Sequence, residues 1–451
     1  MRHKNVDMLN GSISKGLITM TIPIMIMHVM TNLFSVIDMT VLGTYANDTA
    51  VGAVGACGTL IALCNGLLLG CSAGANIIVA RHIGEGDQKK TNEAVSTAIL
   101  FALIGGIVLM IIGISCAELF LKLSKCPDKL MPQAVTYFRL YFVASPAIML
   151  YSFGASILRA SGDTRRPMYF TIIGGTAKII LNFFCVRVLH TTVEGVAIAT
   201  LLSNLISATL SLVTIRKMTE KIRFRFRELK IKLAELKQIL FLGIPSGLQQ
   251  AMYSFANVII VTQVNILGPN ATTGLSIANQ FDGILYQIAC ATSFATIPYV
   301  AQNLGAGRLD RAKKSVYSSA LITIAFGASF GFLSAFFSGE LSSIMSKTPE
   351  VIKYSQQKMI IISSTYFICG INEILSGSLK GMGKPFIPTI STLVFMCLFR
   401  FVWVYLIYPF MPNNLTYLYL VWPVGWTLSI ITQLAFYIPA MRKLKRKTLS
   451  V

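Results

Sequence analysis

The chain has 451 residues, 54% of them hydrophobic and only 13% charged, about half the charged share of a soluble domain, so lipid is its expected bulk solvent. Its formal charge of +21 would suit a nucleic-acid partner if the charge were gathered in one patch. Instead Lys and Arg are dispersed between apolar stretches, so a lipid bilayer is expected as partner and a nucleic acid is not.

From the N-terminus, the stretches able to cross a hydrocarbon core of about 30 Å, which takes roughly 20 helical residues, are 17–42, 49–80, 92–117, 131–158, 167–189 and 193–215. A second set follows at 238–267, 271–300, 314–338, 355–379, 387–409 and 417–440. Met1 to Lys15 is polar and the first apolar segment is too long for a signal core, so no cleavable signal peptide is expected. Basic residues fall in alternate segments: Arg2, Lys4 and Lys15; Arg81, Lys89 and Lys90; Arg159, Arg165 and Arg166; and a cluster from Arg216 to Lys237. The pattern continues with Arg308, Arg311, Lys313 and Lys314, then Lys380 and Lys384, then Arg442, Lys443, Lys445, Arg446 and Lys447. The loops Thr44 to Thr49, Gly268 to Asn270 and Met411 to Thr416 carry no positive charge, which by the positive-inside rule puts both termini in the cytoplasm. The nine cysteines, among them Cys57, Cys64, Cys71, Cys290 and Cys397 inside spans, lack metal-type spacing and read as packing residues; Cys126 has no partner in its loop.

The chain repeats itself. Val79-Ala80-Arg81-His82-Ile83-Gly84-Glu85-Gly86 reads against Val300-Ala301-Gln302-Asn303-Leu304-Gly305-Ala306-Gly307, a shift of 300 − 79 = 221. Leu158 to Gly162 with Pro167 reads against Leu379 to Gly383 with Pro388 at the same shift, 379 − 158 = 221, and Pro23 against Pro245 at 245 − 23 = 222. The expected architecture is therefore an all-α membrane protein of about twelve spans in two pseudo-symmetric six-helix bundles, residues 1–216 and 238–451, joined by a basic cytoplasmic linker at 217–237 that faces lipid headgroups. Six spans per half give both halves one orientation, an arrangement that places substrate near the midplane between halves and alternates access by rocking them.

Several fragments carry a family likeness: Pro23, Asp38 and Gly43 in span one; Gly84-Glu85-Gly86-Asp87 with its partner Gly305-Ala306-Gly307; Leu158-Arg159-Ala160-Ser161-Gly162-Asp163-Thr164; and Gly195-Val196-Ala197-Ile198-Ala199-Thr200. In this order, on twelve spans, the whole chain resembles the multidrug and toxic compound extrusion (MATE) family, nearer its bacterial and archaeal members. The resemblance implies an antiporter exporting small organic compounds, often cationic, against H+ or Na+; the charge bias and the absence of organelle targeting place it in a plasma (inner) membrane, and a monomer without a further cofactor is expected.

An ionisable group inside a span costs a few kcal/mol, about 2.5–3.5 on insertion scales, so each is a candidate for function. Asp38 shares an arc of about 120° with His28, Thr31, Asn32 and Ser35; the carboxylate either couples transport or caps the helix. Lys178 and Asn182 stand at i, i+4, with Gly174, Gly175 and Cys185 alongside. Many relatives show Asn-x-x-x-Asp there, making a cation site with the span-one acid and a span-six threonine, so the resemblance places that set on Asp38, Lys178, Asn182 and Thr200. An ammonium among the ligands argues against sodium and for a proton-operated Asp38–Lys178 pair, the alternative being a permanent structural salt bridge.

In the second half Gln250, Tyr253, Ser254 and Asn257 share an arc, as do Asn279, Asp282 and Tyr286, and these groups, with His28, Asn32, Ser35, Glu373 and Arg400, are the expected lining of a substrate cavity. Glu373 and Asp282 are that half's carboxylates at membrane depth, and Arg400 is a plausible partner for either. Met20, Met25, Met27 and Met30 crowd span one and would serve promiscuous binding or plain packing. Two rival classes remain: a flippase or exporter of a lipid-linked or anionic metabolite, and an intramembrane enzyme. No His-x-x-Glu-His, Gly-x-Ser-x-Gly or P-loop pattern supports the enzyme or direct drive by ATP.

Overall fold

The structure, a computed structural model, describes residues 5–124, 126–218, 222, 229–412 and 414–449. Arg2, Lys4, residues 219–221 and 223–228 of the basic linker and the side chains of Ser254 and Lys447 lie outside the described residues. Most of the described residues are helical, and there is no strand among them.

In the first half the helices are α1 (Ile13–Tyr45), α2 (Asp48–Glu85), α3 (Gln88–Ser115), α4 (Ala117–Leu123), α5 (Met131–Val143), α6 (Ser145–Ala160), α7 (Arg165–Phe183) and α8 (Val193–Lys217). The second half has α9 (Leu233–Asn265), α10 (Pro269–Gly305), α11 (Leu309–Phe336), α12 (Ser338–Met345), α13 (Pro349–Ser364) and α14 (Tyr366–Gly381). It ends with α15 (Phe386–Thr392), α16 (Phe399–Val402), α17 (Leu415–Tyr419) and α18 (Val421–Leu449). Among the described residues nine helical stretches are long and apolar enough to cross a bilayer, and two bent pairs, α5–α6 at 46° and α13–α14 at 48°, raise the number to eleven. The seventh expected span corresponds to α9, whose 33 residues would reach across, about 50 Å at 1.5 Å per residue. Its amides Gln249 and Gln250 and its Ser246 dilute the apolar signal. Along α3, Ile104, Val108 and Ile111 are each about half exposed, a stripe that lipid rather than water would cover.

The repeated fragments are helix-to-helix corners. Asn47 caps α2, its side chain accepting from the Ala50 amide at 2.7 Å, and Gly86 ends the helix at φ +72°, a conformation only glycine adopts at no steric cost. Asp87 then caps α3, and its bond from the Lys90 amide holds its carboxyl below the usual carboxylate range. The amide of Asp87 bonds back to His82 O at 3.2 Å, and in the second half Arg308 N bonds to Asn303 O at 2.8 Å, with Gly307 at φ +70°. The corner after α6 recurs after α14 in the same way: Asp163 N to Leu158 O at 3.0 Å, Lys384 N to Leu379 O at 2.8 Å. Even the bends agree, since the breaks fall at Ala144 and Thr365, and 365 − 144 = 221.

The chain divides into two compact units that do not coincide with the sequence halves. One comprises residues 1–6 and 26–247, the other 7–25 and 248–451, so the start of α1 belongs with the second unit and the start of α9 with the first. Contacts inside each unit explain this. Within the second unit, Asn303 donates to Met8 O at 3.1 Å, Arg308 to Leu9 O at 2.7 Å and Arg311 to Gly11 O at 2.7 Å. Within the first, a Cβ on Gly70 would lie 2.0 Å from Gly247 N, so the start of α9 packs backbone to backbone on α2.

Candidate functional site

In the first unit the structure joins three of the four residues of the expected cation set. Lys178 Nζ pairs with Asp38 Oδ2, and Asn182 Nδ2 donates to Asp38 Oδ1. Asp38 and Asn182 are both buried. Two glycines on α7 let its neighbours approach. A Cβ on Gly175 would fall 1.8 Å from the Phe34 ring of α1, and one on Gly174 would fall 2.9 Å from Ser203 O of α8. Thr200, the fourth, is buried and donates to its own Val196 O at 2.8 Å rather than to Asp38. Directly after Asn182 the helix widens into a π-turn, Phe184–Val188, a local feature that recurs at functional sites. His28 and Asn32 lie half-buried one turn apart on α1, whereas Ser35 is exposed and bonds Thr31 O of its own helix at 3.2 Å.

The second unit contains a cavity of about 250 Å³, slightly below the 300–1,000 Å³ usual for drug-sized ligands. Of the residues expected to line a cavity, Tyr253, Asn257, Asn279, Asp282, Tyr286 and Arg400 line this one, while Gln250, Glu373 and the α1 residues His28, Asn32 and Ser35 do not. Gln249, adjacent to Gln250, makes the inter-helix bonds instead, donating to Ser376 Oγ at 3.2 Å and Thr392 Oγ1 at 3.0 Å. Glu373 sits behind the wall and accepts from the Tyr253 hydroxyl at 2.8 Å.

The expected partnership of Arg400 with Asp282 or Glu373 does not form. Asp282 Oδ2 pairs with Lys358 Nζ, which also bonds Asn279 Oδ1 and lies 5.6 Å from the centre of the Trp422 ring. Arg400 donates from Nη1 to Asn257 Oδ1 at 2.7 Å, with its guanidinium carbon 5.0 Å from that same ring. Lys358, 2% exposed, was missed because the run Gln356-Gln357-Lys358 looks like a polar margin of span 355–379; a lysine inside an apolar span was the available signal.

The two basic residues are repeat mates. Lys178 and Arg400 differ by 400 − 178 = 222, whereas the starts of their helices, Arg165 and Phe386, differ by 386 − 165 = 221. The π-turn Leu393–Leu398, lying between those points in the second half, takes up the extra residue. In the first unit the mate has a carboxylate, and in the second an amide.

Long apolar helices, two copies of one corner-and-bend pattern and buried charges within spans define a polytopic helical membrane transporter of two repeats. The MatE family pattern matches residues 23–184 and again 245–406, a shift of 245 − 23 = 222, and the chain belongs to that family of multidrug efflux transporters. Its members are transporters and not enzymes. The chain is 24% identical over 391 residues to "Probable multidrug resistance protein YoeA" of Bacillus subtilis (strain 168), covering 85% of this chain and 84% of that one. It is 25% identical over 389 residues to a "FAD transporter" of Shewanella oneidensis, covering 84% of each. In fold it is similar to an outward-facing MATE transporter of the MOP superfamily, with TM-score 0.91 at 18% identity over 99% of this chain and 100% of the other. A MOP superfamily transporter from Pyrococcus furiosus, described with the words "Reverse polarity of binding pocket suggests different function", gives the same score over 99% of both chains at 18% identity.

Proposed function

We propose that this chain is a secondary active antiporter that exports small organic compounds in exchange for an inward-moving proton. It works as a monomer in the plasma membrane, by alternating access of two six-helix lobes, with both termini in the cytoplasm. The observation that carries the coupling is the Asp38 carboxylate bonded at one oxygen to the Lys178 ammonium and at the other to Asn182. The ammonium occupies the position a bound sodium would need, and sodium requires several hard oxygen ligands with no adjacent positive charge. Protonating Asp38 leaves Lys178 as a half-buried, uncompensated charge, so the paired and unpaired states differ in proton affinity and the proton gradient can bias the lobes between them. The cargo is a small organic molecule; the relatives' names range from multidrug compounds to FAD.

The test is transport in proteoliposomes with proton and sodium gradients imposed separately. Wild-type protein transports under the proton gradient alone, and Lys178→Asn loses that response. A Lys178→Asn protein that keeps sodium-independent, pH-driven transport at full strength removes the switch.

A further inference from the structure

We infer that the cavity of the second unit is an anion site for an aromatic cargo, with Arg400 as the group that receives the negative charge. Naming the ligand as cargo rests on the exporter reading above; the site itself does not. The cavity lining contains two cations, Lys358 and Arg400, and one carboxylate, Asp282, which already pairs with Lys358. Arg400 is 2% exposed, and among the described residues no carboxylate lies within 4.0 Å of it. Its partners are the neutral Asn257 carbonyl and the face of Trp422. A buried guanidinium is stable in a membrane protein when a counter-charge or a water-filled cavity meets it, and its flat fork of donors suits carboxylate and phosphate oxygens. The repeat supplies an internal contrast, because Lys178, at the equivalent place, has Asp38 as counter-ion. In the second unit that counter-ion is left to come from outside the chain.

The walls define the rest of the ligand. Trp422, Trp426, Tyr253, Tyr286 and Tyr366 enclose the space, a lining suited to a planar ring. Asn257, Asn279 and Gly283 are exposed and mark its mouth. A cationic ring entering here would meet Arg400 and find its only lining carboxylate already neutralised. At about 250 Å³ the cavity accepts a small aromatic acid whole, or the charged end of a larger one.

Three probes sharing one ring separate charge from shape: 2-naphthoate, 2-naphthalenemethanol and 2-naphthylmethylamine, titrated calorimetrically against the detergent-solubilised full chain. The expected order is naphthoate tightest, by about tenfold or more over the amine, the value of one charge-assisted hydrogen-bond pair. Arg400→Gln lowers naphthoate affinity by about the same factor and leaves the alcohol within about twofold. Because Arg400→Gln could unfold, Asn257→Asp is the second variant: it places a carboxylate against the guanidinium, keeps the fold and abolishes the preference for naphthoate. An amine that binds as well as naphthoate, or an Asn257→Asp protein with unaltered naphthoate affinity, overturns the inference. Charge-selective binding in a protein that shows no proton-driven transport upholds the site and removes the exporter reading. Proton-driven dye transport in a protein with no naphthoate preference does the reverse.

Discussion

Gly175→Ala isolates the contact that brings the Asp38–Lys178 pair together. The added Cβ would sit 1.8 Å from Phe34 Cε2 and 2.3 Å from two further atoms of that ring, whereas ordinary contact begins at 3.4 Å, so something must yield by 3.4 − 1.8 = 1.6 Å. Phe34 is one turn before Asp38 and Gly175 is one turn before Lys178, so the strain is applied directly beneath the ion pair. Overpacking of this kind costs about 1–3 kcal/mol. The part that yields is the Phe34 ring, and displacing it from beneath the pair at that cost lowers proton-driven transport by about tenfold, while the second unit's cavity is untouched. The assay is proton-driven uptake in proteoliposomes beside thermal unfolding in detergent, for Gly175→Ala, Phe34→Ala and the double variant. Removing the ring makes room for the methyl, so the double variant recovers transport relative to Gly175→Ala, a coupling that neither single change predicts. Wild-type transport and stability in Gly175→Ala, or a double variant no better than the single one, refutes the reasoning.

Breaking the other ion pair has a different signature. Asp282→Asn leaves Lys358 buried without its counter-charge, and detergent-solubilised protein loses about 3–5 kcal/mol of stability, read from denaturant unfolding; the double change with Lys358→Met restores most of it, and failure of that restoration counts against the pair. Topology is checked by reporters fused at both ends, each accessible only from the cytoplasmic face if the alternation of basic loops sets the orientation.

The sequence made the spans, the two-fold repeat and the corners legible because each depends on strong local chemistry. Uncharged runs of 20 or more residues have one solvent that suits them, and Gly86 and Gly162 stand where a helix must stop. Lys178, Asn182 and Asp38 could be grouped because i, i+4 spacing and the family likeness both pointed to them. Thr200 could not be placed the same way, since a threonine hydroxyl in a helix readily bonds its own i−4 carbonyl, and Val196 O is where it went. The Arg400 partnership failed for a related reason. Sequence shows which charges are at membrane depth but not which helices touch, and Lys358 on α13 reaches Asp282 where Arg400 does not. The boundary between compact units was equally hidden, because it runs through α1 and α9, whose leading ends are held in their units by side-chain bonds to backbone carbonyls just before α1 and by a close glycine approach on α9.

The repeat then says why the two halves should do different work. Duplication gave each half the same bends and corners and a basic residue at one matched position, Lys178 and Arg400. What differs is one turn of a neighbouring helix. Asp38 would match Ile260 at the shift of 222, and Asn257 lies one turn before it on the same face of α9. A carboxylate in the first unit pairs with the cation, and an amide in the second leaves it without a counter-charge among the described residues. On the readings proposed above, the same fold then supplies a proton-sensitive element in one unit and a receptor for negative charge in the other, and exchanging acid for amide at these two positions is the shortest path by which one would acquire the other's role.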